Sequence, residues 1–129
     1  TEEHLRENGK PGKVAMAELT DWVKSRLKKK ERALFVGHNA PFDWSFIAWT
    51  FAAENLPNPF GYKGLCTKSL ATGVLGVHWL DSGKEILCDL LGLPAEDLSQ
   101  KHRADYDAAY QAELLIRLLE WENGAGDSG

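Results

Sequence analysis

The chain has 129 residues, of which 43% are hydrophobic and 26% are charged, and its formal net charge is -4. This composition is typical of one globular domain of ~100–150 residues and excludes a disordered chain. No apolar run reaches the ~20 residues that a membrane-spanning helix needs, and two cysteines exclude a disulfide framework, which favours a reducing, cytoplasmic setting. The acidic balance argues against bulk nucleic-acid binding, but an enzyme that handles nucleic acid through metal ions can be acidic.

The first half of the chain predicts a helix, a buried strand and an aromatic helix. Residues 14–29 carry an apolar stripe at helical spacing and lead into a basic run, which we interpret as a solvated helix end rather than a phosphate-binding patch. The apolar run 33–37 predicts a strand buried on both faces. A turn at 38–40 is followed by Pro41, which suits a first helical position. A helix is predicted over 42–55, and we expect its aromatic side chains to lie mostly in the core.

The second half predicts one weak strand over 63–67 and three helices. The first helix is expected over 68–75. Ser82 with Glu85 three residues later predicts a capping box that opens a second helix over 83–91, and Gly92 is expected to end that helix. The last helix is predicted over 103–121. This order of elements predicts an α/β fold. Because a two-stranded sheet is marginal, we expect the chain to be part of a larger fold.

Two short segments place carboxylates at predicted helix starts. Residues 37–43 read GHNAPFD, and residues 102–107 read HRADYD, so His102 stands five positions before Asp107. Carboxylates are the ligands that Mg²⁺ prefers, and the unperturbed pKa of histidine, ~6.5, suits proton transfer near neutrality. Taken singly, Asp43 is explained as well by the helix dipole and His102 as a hydrogen-bonded loop histidine.

Together the segments resemble the second and third motifs, H-N-x-x-F-D and H-x-A-x-x-D-A, of the DEDDh-type 3′→5′ exonucleases, a family that includes proofreading subunits, ribonuclease T and oligoribonuclease. The matching residues are His38, Asn39, Phe42, Asp43, His102, Ala104, Asp107 and Ala108. The resemblance implies a ribonuclease-H-like fold and hydrolysis of phosphodiester bonds at nucleic-acid 3′ ends. It also implies two Mg²⁺ or Mn²⁺ ions, with Asp43 and Asp107 as metal ligands and His102 as the general base.

The family's first motif, D-x-E, does not occur in the sequence. The resemblance places that motif on strands that precede the helix at 14–29. We therefore expect residues 1–121 to be an exonuclease domain without its first three strands, followed by a flexible tail over 122–129. The alternative is a non-catalytic module of the same fold that binds nucleic acid or protein.

Other residues are assigned supporting roles or none. Lys101 and Arg103 flank the histidine and are the candidates for phosphate contact, whereas Asp105 is interpreted as solvated. His38 and Asn39 are expected to fix the turn by hydrogen bonds rather than to contact substrate. As an alternative to a place in the core, one or two aromatic residues of the helix over 42–55 could stack on a base of a single strand. Two cysteines, Cys66 and Cys88, are expected to be buried thiols, and Thr67 is given no role. The implied substrate is a single-stranded 3′ end, with DNA and RNA both open, and a polymerase or a second copy of the chain is an open partner; no membrane partner is expected.

Overall fold

A computed structural model describes residues 2–100 and 103–124 of the chain. Within these residues, the chain forms helices, two short strands and one 3₁₀ turn, which is a mixed α/β arrangement. In chain order the elements are α1 (Glu2–Asn8), α2 (Gly12–Arg26), β1 (Phe35–Gly37), α3 (Ala40–Ala53), β2 (Gly64–Cys66), α4 (Thr67–Leu75), the 3₁₀ turn (Trp79–Asp81), α5 (Lys84–Leu90) and α6 (Ala104–Gly124).

The helix predicted over 14–29 forms as α2, which begins at Gly12 and ends at Arg26. The basic residues of the following run are exposed. Within the apolar stripe Val23 is buried, but Trp22 is 55% exposed, and the guanidinium of Arg26 lies 4.0 Å from the centroid of its ring. The stripe is therefore only partly buried, and a cation covers part of its aromatic surface.

The two strands form one two-stranded sheet in the described part of the chain, with β1 next to β2. The predicted strand over 33–37 is shorter than expected, because Leu34 lies before β1 and is 52% exposed. Phe35 is half-buried and packs against Trp44 and Phe60, with ring centroids 5.1 Å and 5.8 Å away. The prediction of burial on both faces is thus wrong for the first part of this run.

The described residues divide into two compact units. Unit 1 contains those of Thr1–Phe35 and Phe42–Gly64, and unit 2 contains those of Val36–Pro41 and Leu65–Gly129. Asp43 consequently belongs to unit 1, whereas Asp107 belongs to unit 2.

The core of unit 2 is built by α4, α5 and α6. Leu87 of α5 and Leu114 and Leu118 of α6 are fully buried, and Ala71 of α4 joins the same cluster. Leu114 and Leu118 are four residues apart and so lie on one face of α6. This apolar face fixes the helix that carries Asp107.

The capping box predicted at Ser82 does not form. Ser82 is buried, and its hydroxyl donates to the carbonyl of Trp79 over 2.6 Å, which closes the 3₁₀ turn. Gly83 is the N-cap of α5, without a side-chain cap bond. The Ser82 hydroxyl is therefore bonded within the 3₁₀ turn, which was not predicted, and it does not cap α5. At the other end Gly92 has a φ of 66° and terminates the helix as predicted.

The aromatic residues of α3 in unit 1 are mostly exposed, contrary to prediction. Phe42 is 62% exposed, Phe46 61% and Trp49 71%, whereas Phe51 is 1% exposed. The rings of Phe42 and Phe46 meet edge to face, with centroids 5.2 Å apart. Dense aromatic content predicted burial, but the exposed residues recur at helical spacing and form one outward face. We call Phe42, Phe46 and Trp49 the aromatic face.

The last helix, α6, spans 21 residues and continues to Gly124, beyond its predicted end at Trp121. The remaining residues, 125–129, lie outside the part that the structure describes. None of the helices in the described ranges combines the length and the apolar character that crossing a membrane requires.

Candidate functional site

The backbone before α3 explains why Asp43 stands in a first helical turn. Asn39 has a φ of 60°, in the left-handed region that asparagine tolerates better than most residues. Pro41 follows within the first turn, where its fixed φ and its missing N–H are tolerated. Asp43 is exposed and acidic, and it therefore interacts favourably with the positive end of the helix dipole.

The second predicted carboxylate, Asp107, lies in the first turn of α6. Its backbone N–H donates to the carbonyl of Arg103 over 2.9 Å, so its backbone is fixed by a helical bond. The side chain is half-buried, and its Oδ1 atom is inaccessible to solvent and has no hydrogen-bond partner among the described residues. Asp107 thus presents a buried carboxylate oxygen that none of the described residues supplies with a donor.

This oxygen gives a physical test of whether the residue suits a metal. A buried acceptor without a hydrogen bond is destabilising, and more so when it is charged. A divalent cation with oxygen ligands, such as Mg²⁺, is a partner that would satisfy it. Asp107 therefore fits a metal-binding role. Across the described ranges there is no group of three or more His, Cys, Asp or Glu residues arranged to hold a metal ion.

The predicted general base His102 and the predicted phosphate contact Lys101 lie outside the described residues. The neighbouring Arg103 is described and exposed. Its Nη2 lies 2.7 Å from Asp105 Oδ2, and its Nη1 donates to Gln100 Oε1 over 2.7 Å. The bond from Arg103 lowers the pKa of Asp105, and the same bond raises the pKa of Arg103. Asp105 is thus exposed, as expected of a solvated residue, but it is paired with Arg103.

His38 fixes the turn before α3 through two hydrogen bonds within unit 2. Its backbone N–H donates to Gln111 Oε1 over 2.9 Å, and its ring Nδ1 lies 3.0 Å from Thr67 Oγ1. Burial lowers the pKa of His38 to about 4, with smaller contributions from Lys84 and Lys68. The ring is therefore neutral near pH 7. The interpretation that His38 stabilises the turn by hydrogen bonds is confirmed.

Two residues of this network, Thr67 and Gln111, were not assigned roles from the sequence. Thr67 is completely buried, and its hydroxyl also lies 3.4 Å from the carbonyl oxygen of Gly37. Its signal in the sequence is a threonine at the end of a predicted strand. Gln111 stands four residues after Asp107, which places it on the same side of α6. Nothing local in the sequence indicates that its partner is 73 residues away.

The two cysteines are free thiols in different surroundings. Cys88 is buried as expected, whereas Cys66 is half-buried at the N-cap of α4. Burial raises the pKa of Cys66, but hydrogen bonds from Ser69 and from the N–H groups of Ala40 and Lys68 outweigh it, and the net pKa is lowered. The expectation of two buried thiols is therefore correct only for Cys88.

Comparison with known proteins identifies exonuclease relatives. The chain is 38% identical over 119 residues to the 3′-5′ DNA exonuclease Cap18 of Escherichia coli, and the match covers 92% of the chain and 61% of Cap18. It is 33% identical over 127 residues to ribonuclease T of Hahella chejuensis, covering 92% of the chain and 55% of that enzyme. For ribonuclease T of Marinobacter nauticus the identity is 30% over 121 residues, covering 90% of the chain and 52% of the enzyme. The resemblance to DEDDh-type 3′→5′ exonucleases is confirmed.

The comparisons also give the share of each relative that the chain covers. A search against protein-family models gave no match. The chain spans a little over half the length of the DEDDh-type relatives it matches. Its mixture of helices and a small sheet fits the α/β, ribonuclease-H-like fold of DEDDh exonucleases.

Proposed function

We propose that this chain provides the second and third motifs of a metal-dependent 3′→5′ exonuclease. Asp43 and Asp107 are the residues that would hold two Mg²⁺ or Mn²⁺ ions, and His102 accepts a proton from the attacking water. When bound, two such ions stabilise the attacking and leaving oxygens of a phosphodiester. The observation that carries the proposal is the buried Oδ1 of Asp107, which has no hydrogen-bond partner in the described part of the chain.

The proposal assigns the remaining acidic ligands to a D-x-E motif outside residues 1–129. Residues 1–121 then correspond to the part of the exonuclease domain that follows its first three strands. The relatives support a domain longer than this chain, because the chain matches them over 90% or more of its own length but over at most 61% of theirs.

The aromatic face supports a role in holding the substrate. Phe42 directly precedes Asp43, and Phe42, Phe46 and Trp49 each expose more than half of their surface. Bases of a single strand stack on exposed aromatic rings with little sequence preference. We therefore propose a single-stranded 3′ end as the substrate. One relative is named a DNA exonuclease and others ribonuclease T, so both sugars are to be tested.

The test measures 3′-end trimming of 5′-labelled single strands of DNA and RNA by the full-length protein with Mn²⁺. We expect Asp107→Ala and His102→Ala to abolish trimming, because each removes a group that acts directly in the reaction. Asp105→Asn is the matched control, since Asp105 lies in the same helical turn as Asp107 but is exposed and paired with Arg103. Retained trimming in both alanine variants would contradict the mechanism, and an inactive wild-type protein would support a non-catalytic module instead.

A further inference from the structure

The side chain of Gln111 connects α6 to the turn that precedes α3. Its Oε1 accepts the N–H of His38 over 2.9 Å, and it is half-buried. The ring of His38 is held by the buried hydroxyl of Thr67, at 3.0 Å. The partner of Gln111 is therefore itself immobilised, and the bond joins two fixed pieces of unit 2.

Gln111 also shares a helix face with Asp107. The two residues are separated by one turn of α6, so a contact made by Gln111 restricts the rotation of the turn that carries Asp107. The buried leucines Leu114 and Leu118 lie further along the helix, towards its C-terminal end. They fix the axis of α6, whereas its first turn is a helix end, where fewer backbone hydrogen bonds hold the chain.

Other hydrogen bonds join α6 to a different segment. The hydroxyl of Tyr106 accepts the N–H of Asp97 over 2.7 Å, and the hydroxyl of Tyr110 donates to the carbonyl of Pro94 over 3.0 Å. These bonds attach α6 to the loop after α5. The bond accepted by Gln111 differs, because its donor, the N–H of His38, lies in the turn of the H-N-x-x-F-D motif.

We propose that Gln111 is a positioning residue for Asp107. By accepting the N–H of His38, it sets the orientation of the first turns of α6 and so of the Asp107 carboxylate, which would hold the metal. The proposal rests on the metal-binding role proposed above for Asp107. It requires an acceptor oxygen at the position of Oε1, and it does not require the amide NH₂ group of Gln111.

This requirement defines matched variants in the full-length protein. Gln111→Met keeps the length of the side chain but removes the acceptor, whereas Gln111→Glu keeps both. We expect Gln111→Met to lower kcat by ~10–100-fold, the usual cost of losing a group that orients a metal ligand, with KM for the oligonucleotide unchanged. Mn²⁺ affinity, measured by calorimetry without substrate, falls in parallel. In Gln111→Glu, we expect both kcat and Mn²⁺ affinity to stay at their wild-type values.

Amide hydrogen exchange at His38 reports the bond directly, and we expect faster exchange in Gln111→Met. If that variant does not fold, Gln111→Asn takes its place, because its shorter side chain cannot reach His38 from the same backbone position. A folded variant without the bond, with fast exchange at His38 but with wild-type kcat and Mn²⁺ affinity, would overturn the positioning role. An inactive wild-type protein that does not bind Mn²⁺ would instead refute the proposed function itself.

Discussion

Replacing Asp107 by asparagine should stabilise the metal-free protein while removing its response to metal. The carboxylate Oδ1 of Asp107 is buried without a hydrogen-bond donor among the described residues. An unsatisfied buried polar group costs ~1–3 kcal/mol, and more when it is charged. Asparagine has nearly the same volume, and its neutral amide is less costly to bury than a carboxylate.

The size of the effect follows from two opposing contributions. Neutralising Asp107 recovers part of that ~1–3 kcal/mol penalty. It also removes a negative charge from the first turn of α6, where the helix dipole stabilises such a charge by ~0.3–1 kcal/mol. The net expectation is a gain of about 1 kcal/mol, which raises Tm by roughly 4 °C in a domain of this size.

Thermal unfolding followed by circular dichroism, in EDTA and in Mn²⁺, measures both parts of the prediction. Wild-type protein at 100 times the metal Kd should gain ~2.7 kcal/mol of stability, and Asp107→Asn should gain little. Asp105→Asn controls for the general effect of charge at this end of α6, since Asp105 is exposed. The reasoning would be refuted if Asp107→Asn had a lower Tm than the wild-type protein in EDTA and if Mn²⁺ raised its Tm by as much as that of the wild-type protein.

Three further variants test other parts of the molecule. The folded protein binds the His38 proton less tightly than the unfolded chain, because the pKa is lowered from 6.5 to about 4. The contribution of neutral His38 to the free energy of unfolding is therefore complete above pH 6.5 and decreases as the pH falls towards 4. In urea unfolding, His38→Asn should remove that decrease, and an identical pH dependence in both proteins would contradict the prediction. Leu114→Ala should lower the free energy of unfolding by ~2–5 kcal/mol, because the side chain is fully buried. Ile116→Ala, at a side chain that is 48% exposed, is its control, and equal losses in the two variants would contradict the assigned core. Phe46→Ala should weaken binding of a single-stranded oligonucleotide, measured by fluorescence anisotropy, by ~1–3 kcal/mol with Tm unchanged; an unaltered Kd would exclude base stacking at this position.

Local signals in the sequence predicted elements that depend on neighbouring residues. Pro41 marked the start of α3, and Gly92 marked the end of α5, because both act through their own backbone. The motif spacing likewise placed Asp43 and Asp107 in first helical turns. Side chains that compete for one group were harder to predict, since Ser82 bonds to Trp79 and not to the start of α5.

Properties that depend on distant parts of the chain could not be predicted. The apolar character of Phe46 and Trp49 suggested burial, but burial requires a covering element, and the helical pattern does not identify one. The bond between His38 and Gln111 joins residues far apart in sequence, so neither position carries a local signal for it. The metal-ligand hypothesis for Asp107 is supported by its buried oxygen, and that burial depends on the surrounding fold rather than on the local sequence.

The left-handed backbone at Asn39 has a consequence for how this segment tolerates change. Its φ of 60° lies in the left-handed region, which glycine adopts at least as readily as asparagine, whereas alanine and β-branched residues adopt it at a cost. Two positions of one motif are therefore constrained differently. Asn39 is constrained by the conformation of the main chain, and Asp43 by the charge of its side chain. Recoding the segment with glycine at position 39 preserves the turn, and a chain that carries this replacement would escape a strict motif search while keeping the same entry into α3.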